Sequence, residues 1–226
     1  MTAKRDLLVI VPSRGRPERL AIMIDACLDL AEMNTRIAVG IDLDDPARWE
    51  YDALRARAQV FTGERQSLSG WTNMLARALG GSYGAIASFG DDHLARTPGW
   101  DRLLLEALAT PGIAYGDDKH QGERLPTAPV ISSEIVEALG WMCEPSLRHF
   151  CVDTVLKDLG TATGCLRYVP EVVIEHMHPH GGKAQTDQTY LDAGEHGEGW
   201  VRDWEAYGAW KRERMAADVA KVRPVL

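Results

Sequence analysis

The sequence has no CxxC pair, no apolar run near the length of a membrane span, and no excess of positive charge. Its four cysteines stand at positions 27, 143, 151 and 165, too scattered for a zinc knuckle. Free thiols in a reducing compartment are the simplest expectation. The longest apolar runs, such as Leu7–Val11, fall far short of the roughly 20 residues a transmembrane helix requires. Residues 1–6 are polar and lack the apolar segment of a signal peptide, so the expected location is cytoplasmic, with no membrane span. A net charge of -8 argues against broad, sequence-independent nucleic-acid binding. It still permits a local basic groove, for which Arg14, Arg16, Arg19, Arg55, Arg57 and Arg65 are candidates. Internal repeats and low-complexity segments are absent as well.

What is present fits a globular α/β protein. The 226 residues, 45% of them hydrophobic, suit one domain with a sizeable core. Leu7–Val11, Ile37–Ile41, Val60–Phe61 and Ala85–Phe89 read as strands. Arg16–Met33, Ser69–Leu79 (with Ser69 as N-cap) and Gly99–Ala109 read as the helices between and after them. This alternation predicts βαβ units and a mostly parallel sheet. The later chain is mixed: short strands at Ile113–Tyr115 and Pro129–Ile131, helices at Ser132–Leu139 and Cys151–Leu159, extended stretches at Leu166–Val169 and Val172–Glu175. Residues 179–199 read as a mobile, Gly-rich loop, and Trp200–Val222 as one closing helix with Trp200, Trp204 and Tyr207 on a packing stripe. The expected organisation is a catalytic domain over residues 1–180, with residues 181–226 as loop and C-terminal helix packed on it.

Polar clusters follow three of the strands, at Pro12-Ser13-Arg14, Asp42–Asp45 and Gly90–His93. Open parallel sheets bind ligands at the carboxyl ends of their strands, so these clusters converge on one edge. Asp91-Asp92 has the oxygen chemistry to hold Mg2+ or Mn2+, and it equally fits a solvated turn that starts the next helix. His176, His178 and His180 alternate after an apolar strand and share one face of an extended chain. Imidazole suits Mn2+ and other transition metals. Pro179 disrupts pairing near His180, which leaves His176 or His178 to join Asp92.

Taken in order, these segments resemble a family 2-type glycosyltransferase of the GT-A fold, over about residues 6–180. Leu8-Val9-Ile10-Val11-Pro12-Ser13-Arg14 with Arg16 resembles the opening strand and nucleotide-binding loop. Asp42 to Asp45 stands where the family keeps an acidic residue for base or ribose. Ser69-Gly70-Trp71-Thr72-Asn73 resembles the helix start whose Asn lies near the donor. Ser88 to His93, then Pro98-Gly99-Trp100, resembles the metal-binding DXD segment, with Gly90 in place of its first acid. Leu139-Gly140-Trp141 through Cys151-Val152-Asp153 resembles the acceptor-side helix, with Val152 where the family has Glu. Tyr168-Val169-Pro170 through His176 resembles the late strand that ends in a metal-contacting His.

The resemblance implies an α/β, GT-A-like, mostly parallel mixed sheet flanked by helices. It implies a donor site from Pro12, Ser13, Arg14, Arg16, Asp42, Asp44, Asn73, Asp91 and Lys183. The metal, Mn2+ or Mg2+, would sit on Asp92 with His176 or His178, and Asp153 would act as the base of an inverting sugar transfer. The implied partners are a nucleotide-diphosphate sugar, by default a UDP-sugar, and an unknown hydroxyl acceptor, a nucleic acid not excluded. Trp71, Trp100 and Trp141 are the expected stacking partners for a sugar. A nucleotidyltransferase, a non-catalytic nucleotide-sugar module and, more weakly, a metal hydrolase are the competing readings. The nucleotidyltransferase would need no base at Asp153, and the binding module would show no turnover.

Overall fold

The computed structural model describes residues 6–177 and 197–226. Eight strands form one mixed sheet in the order β3-β2-β1-β4-β7-β6-β8-β5. The first four are β1 (Leu7–Ser13), β2 (Thr35–Asp42), β3 (Gln59–Gly63) and β4 (Ala85–Ser88). They pair in parallel with one another, as the sequence predicts. β1 is buried on both faces, the reason it reads as a continuous apolar run. Leu7, Val9 and Val11 face one core cluster and Leu8 and Ile10 the other. Helices α1 (Pro17–Asp29) and α3 (Trp100–Ala107) cover the first face. On the second lie α2 (Leu68–Leu79), α4 (Ser133–Leu139) and α5 (Val152–Thr163).

The second half reverses direction. β6 (Ile113–Asp117) and β7 (Val130–Ser132) pair antiparallel, as do β7 and β4. The two late extended stretches are one strand, β8 (Leu166–His176). It runs through Pro170 because β8 leaves the β6 ladder there: Val169 pairs with Gly116 and Val173 with Asp117, across a register break. A proline without an N–H is tolerated at such a bulge. Past the break, β8 pairs antiparallel with β5 (His93–Ala95), a three-residue strand the sequence did not reveal.

Other boundaries shift for identifiable reasons. α1 stops at Asp29 because the following turn is held by buried Asp101, which accepts the N–H groups of Glu32 and Met33 and the Thr35 hydroxyl. The cap of α2 is Ser67, whose hydroxyl accepts the Gly70 N–H at 3.0 Å; Ser69 is buried within the first turn. The closing helix breaks at Arg214 into α6 (Glu198–Glu213) and α7 (Met215–Val222), joined by a Trp210 Nε1–H bond to Asp218. α7 packs on α4 and α5. All four cysteines are buried free thiols. Among the described residues, no helix is long and apolar enough to cross a membrane.

Trp71 of α2 lies across β2, and a Cβ added at Gly40 would come within 2.6 Å of its ring. Gly40→Ala is therefore expected to destabilise the fold by about 1–3 kcal/mol, the usual cost of overpacking. Thermal unfolding checks this; an unchanged Tm would mean that the indole moves aside freely.

Candidate functional site

One large cleft, of about 1600 Å3, opens over the carboxyl ends of β1, β2 and β4. Sites for single small ligands span roughly 300–1,000 Å3, so this one has room for two substrates. Of the residues singled out from sequence, Pro12, Ser13, Arg14, Arg16, Asp42, Asp91, Asp92, Asp153 and His176 all line it. Asp44 and Asn73 do not. Asp44 stands outside the wall, half exposed, in ion pairs with Arg14 and Arg65. The Asn73 amide is occupied within the fold: its Oδ1 accepts the N–H groups of Met142 and Cys143, and its Nδ2 donates to the Cys143 carbonyl. Asn73 thus clamps α2 to the chain leading to α5 and does not line the cleft. His178 and Lys183 lie outside the described residues.

The β1 end is a network of buried charge. Ser13 donates to Asp91 Oδ2 at 2.7 Å, and Arg16 donates to Asp91 Oδ1 at 3.1 Å. Burial pushes the Asp91 carboxyl up to about 6; the Asp92 charge adds to the rise, and Arg16 and Ser13 oppose it. Asp42 accepts from the Gln66 N–H, the Trp71 indole and Arg14. Tyr51, missed in the sequence, is fully buried, within 3.3 Å of the Ser13 hydroxyl, and accepts the Arg16 N–H. Asp45 accepts the Gly15 N–H at 2.8 Å, where φ is +66°, a value glycine adopts without strain.

Across the cleft, the ends of β4 and β8 meet. Asp92, His93 and His176 bring one potential ligand atom each within 4.8 Å of the others. Asp92 Oδ2 and His176 Nε2 are 3.5 Å apart, too long for a good hydrogen bond and compatible with two ligands of one ion whose bonds are about 2.1 Å. A carboxylate with imidazole nitrogen suits Mn2+ better than Mg2+. His93 stands opposite His176 in the β5–β8 ladder, with ring centroids 4.3 Å apart. Its Nδ1 accepts the Gly90 N–H at 2.6 Å, which places the proton of a neutral ring on Nε2. Ligation by His93 would have to exchange that bond, so Asp92 and His176 are the better-disposed pair. The signal that could have found His93 was its place beside the acidic pair; it needed β5 to be seen as a strand.

Asp153 lies half-buried in the first turn of α5. Burial raises its carboxyl above the usual range; the Thr154 N–H and hydroxyl oppose this, and the nearby His176 pulls the same way as Thr154. An elevated carboxylate is a stronger base, closer to what proton abstraction near neutral pH requires.

Two further carboxylates shape the walls, neither visible from sequence. Asp118 follows β6, and its Oδ1 accepts the N–H groups of His120, Gln121 and Gly122 while Oδ2 accepts the Thr127 hydroxyl. Burial alone would raise it, but these donors hold it below the ordinary carboxylate range. Asp203 of α6 does the same for residues 148–150. Of the three tryptophans expected at a sugar, Trp71 lines the cleft and Trp100 and Trp141 do not. Trp100 is wholly buried and donates to the Cys27 carbonyl, Trp141 is buried in the core, and Trp71 is fastened to Asp42. Accessible rings on the cleft come instead from His149 and Phe150 and from Trp200 and Trp204 of the stripe expected to pack.

The architecture is that of the GT-A-type glycosyltransferases. A mannosyltransferase from Pyrobaculum calidifontis, in complex with GDP-Man and Mn2+, superimposes with a TM-score of 0.56 over 95% of this chain and 78% of its own, at 13% identity. Glucosyl-3-phosphoglycerate synthase from Mycobacterium tuberculosis, in complex with Mn2+, UDP and phosphoglyceric acid, gives 0.56 over 96% and 78%, also at 13% identity. A cytidylyltransferase from Leptospira borgpetersenii is similar over less of the chain: 74% of this one and 76% of its own, TM-score 0.52, 11% identity. No family model and no curated protein matches the sequence.

Proposed function

We propose that this protein is a divalent-metal-dependent glycosyltransferase that moves a sugar from a nucleotide-diphosphate donor to an acceptor hydroxyl. The observation that carries the reading is the cleft itself: a carboxylate–imidazole corner at Asp92 and His176, a charged nucleotide end at Ser13, Arg14 and Arg16, and the elevated carboxylate of Asp153 on one wall. The GT-A fold supports it, as do two solved structures of that fold, which hold Mn2+ with GDP-Man or UDP.

In this reading Asp92 and His176 hold Mn2+ or Mg2+. The ion's contribution is to neutralise charge on the departing diphosphate. Arg14 and Arg16 supply cationic donors for the nucleotide and its phosphates, with Ser13 and Asp91 fixing Arg16. Asp153 takes the proton from the acceptor hydroxyl on the face opposite the leaving group, so the anomeric carbon inverts. Lys183 and His178 stay in the proposal on sequence grounds alone, as a phosphate contact and an alternative ligand.

The test is a thermal-shift panel of UDP-, GDP- and dTDP-sugars with and without Mn2+. A ligand that binds the native state stabilises it, by about 2.7 kcal/mol at a hundred times Kd. One nucleotide sugar is expected to raise Tm only with metal present. Stabilisation by a nucleoside triphosphate instead, with nucleotide found in the product, would favour the nucleotidyltransferase reading that the cytidylyltransferase likeness keeps in view.

A further inference from the structure

The end of the cleft beyond Asp153 is built by two stretches far apart in the chain. Trp200 and Trp204 come from α6, with ring centroids 5.6 Å apart. His149 and Phe150 come from the segment that leads into α5, their rings 4.8 Å apart. One carboxylate fastens the two stretches. Asp203 is fully buried and accepts the backbone N–H groups of Arg148, His149 and Phe150, the last two at 2.8 and 2.9 Å. Burial would raise Asp203, but these N–H groups and Arg202 hold it below the usual range. It is therefore an anion at neutral pH, gripping the chain that Cys151 then turns, at a φ of +64°, into the helix carrying Asp153.

The wall so fastened is aromatic. Trp204 is 41% exposed, and Trp200, Trp204 and Phe150 line the same cleft as Asp153. Exposed indoles in a row beside a polar site mark a surface that something flat and partly apolar covers. A saccharide ring has that form: one face of C–H bonds to lie on an indole, and a rim of hydroxyls to reach polar neighbours. A polyanion is disfavoured. Glu198 and Asp153 share this end of the cleft and offset the cationic Arg148, Arg202 is paired with Asp203, and the chain carries a net charge of -8.

We infer that α6 and residues 148–150 form the acceptor platform, and that the acceptor presents a saccharide ring to Trp200 and Trp204. The inference rests on the sugar-transfer reading, and its test separates the two. The full chain, with UDP and Mn2+, is applied to immobilised oligosaccharides of varied linkage and, in parallel, to single-stranded DNA and RNA oligonucleotides. UDP affinity is measured by calorimetry for each variant. The expected result is binding to at least one saccharide, weakened from several-fold to about tenfold in Trp204→Ala, as the loss of one ring contact implies. Trp49→Ala, which removes a tryptophan 70% exposed but outside the cleft, leaves saccharide binding unchanged. UDP affinity is expected to be equal in all three proteins. Failure to bind UDP, and equally GDP and dTDP offered in its place, counts against the transferase reading. UDP binding with no saccharide bound, an oligonucleotide bound in its place, or saccharide binding indifferent to Trp204→Ala overturns the platform.

Discussion

Asp153→Asn is expected to cut sugar transfer by about 10²–10⁴, the usual contribution of general-base catalysis, while donor affinity stays within a few-fold. Asparagine keeps the shape of the side chain and removes the proton acceptor. Asp153 lies on the α5 wall, away from the β1 end where Ser13, Arg14 and Arg16 stand, so the donor should not register its loss. The elevation of its carboxyl by burial adds a second readout. The acid-side limb of the rate profile, where the rate rises with pH as the carboxyl ionises, should lie above the ordinary carboxylate value of about 4 and should be missing in the variant. Single-turnover transfer beside calorimetric donor binding gives both quantities. Wild-type transfer by Asp153→Asn would reduce the residue to a helix-start carboxylate, and the inverting mechanism would need another base.

The opposite pattern is expected of Asp92→Ala: metal-dependent donor binding and transfer are lost together. Asp92 supplies the only carboxylate of the Asp92, His93 and His176 group. Losing even an outer-shell partner of a metal costs about 10–100-fold in affinity, so removing a ligand itself should cost at least that. His176→Ala should follow Asp92→Ala. His93→Ala should be milder, because its Nδ1 is already engaged by the Gly90 N–H. Calorimetry with the preferred nucleotide sugar, in Mn2+ and again in EDTA, ranks the three. Donor binding that is indifferent to EDTA would overturn the metal assignment for all of them.

The contrast between these residues shows what could be read without a structure. The places of Asp91, Asp92, Asp153 and His176 on the cleft were legible because each follows an apolar strand, ends one or opens an amphipathic helix, and the end of an element locates a side chain. His93 belongs to a strand of three residues that exists only through its pairing with β8, a partner no local pattern reveals. Asp118 and Asp203 were invisible because they bond backbone N–H groups, which leave no mark in a sequence. The internal partners of Asn73 and Trp100 were hidden for a related reason: an amide or indole looks the same whether it meets a ligand or the main chain. β1 itself was plain from its unbroken apolar run. The proline-interrupted course of β8 was not, because its continuity depends on the register break at Gly116 and Asp117.

That short outer strand also bears on how the sheet keeps its alignment. β5 closes one edge of the sheet with three paired residues, a length at which backbone bonds alone hold register weakly. A slip of one position would turn every β5 side chain to the other face and carry His93 away from His176. Asp92 comes just before β5 and His176 ends β8, so an ion gripping both would work as a rivet at the open end of the ladder. Cation loading would then do more than prepare the diphosphate site: it would select a single alignment of this short outer seam, and hydrogen exchange at Leu94 and Ala95 would slow as it did so.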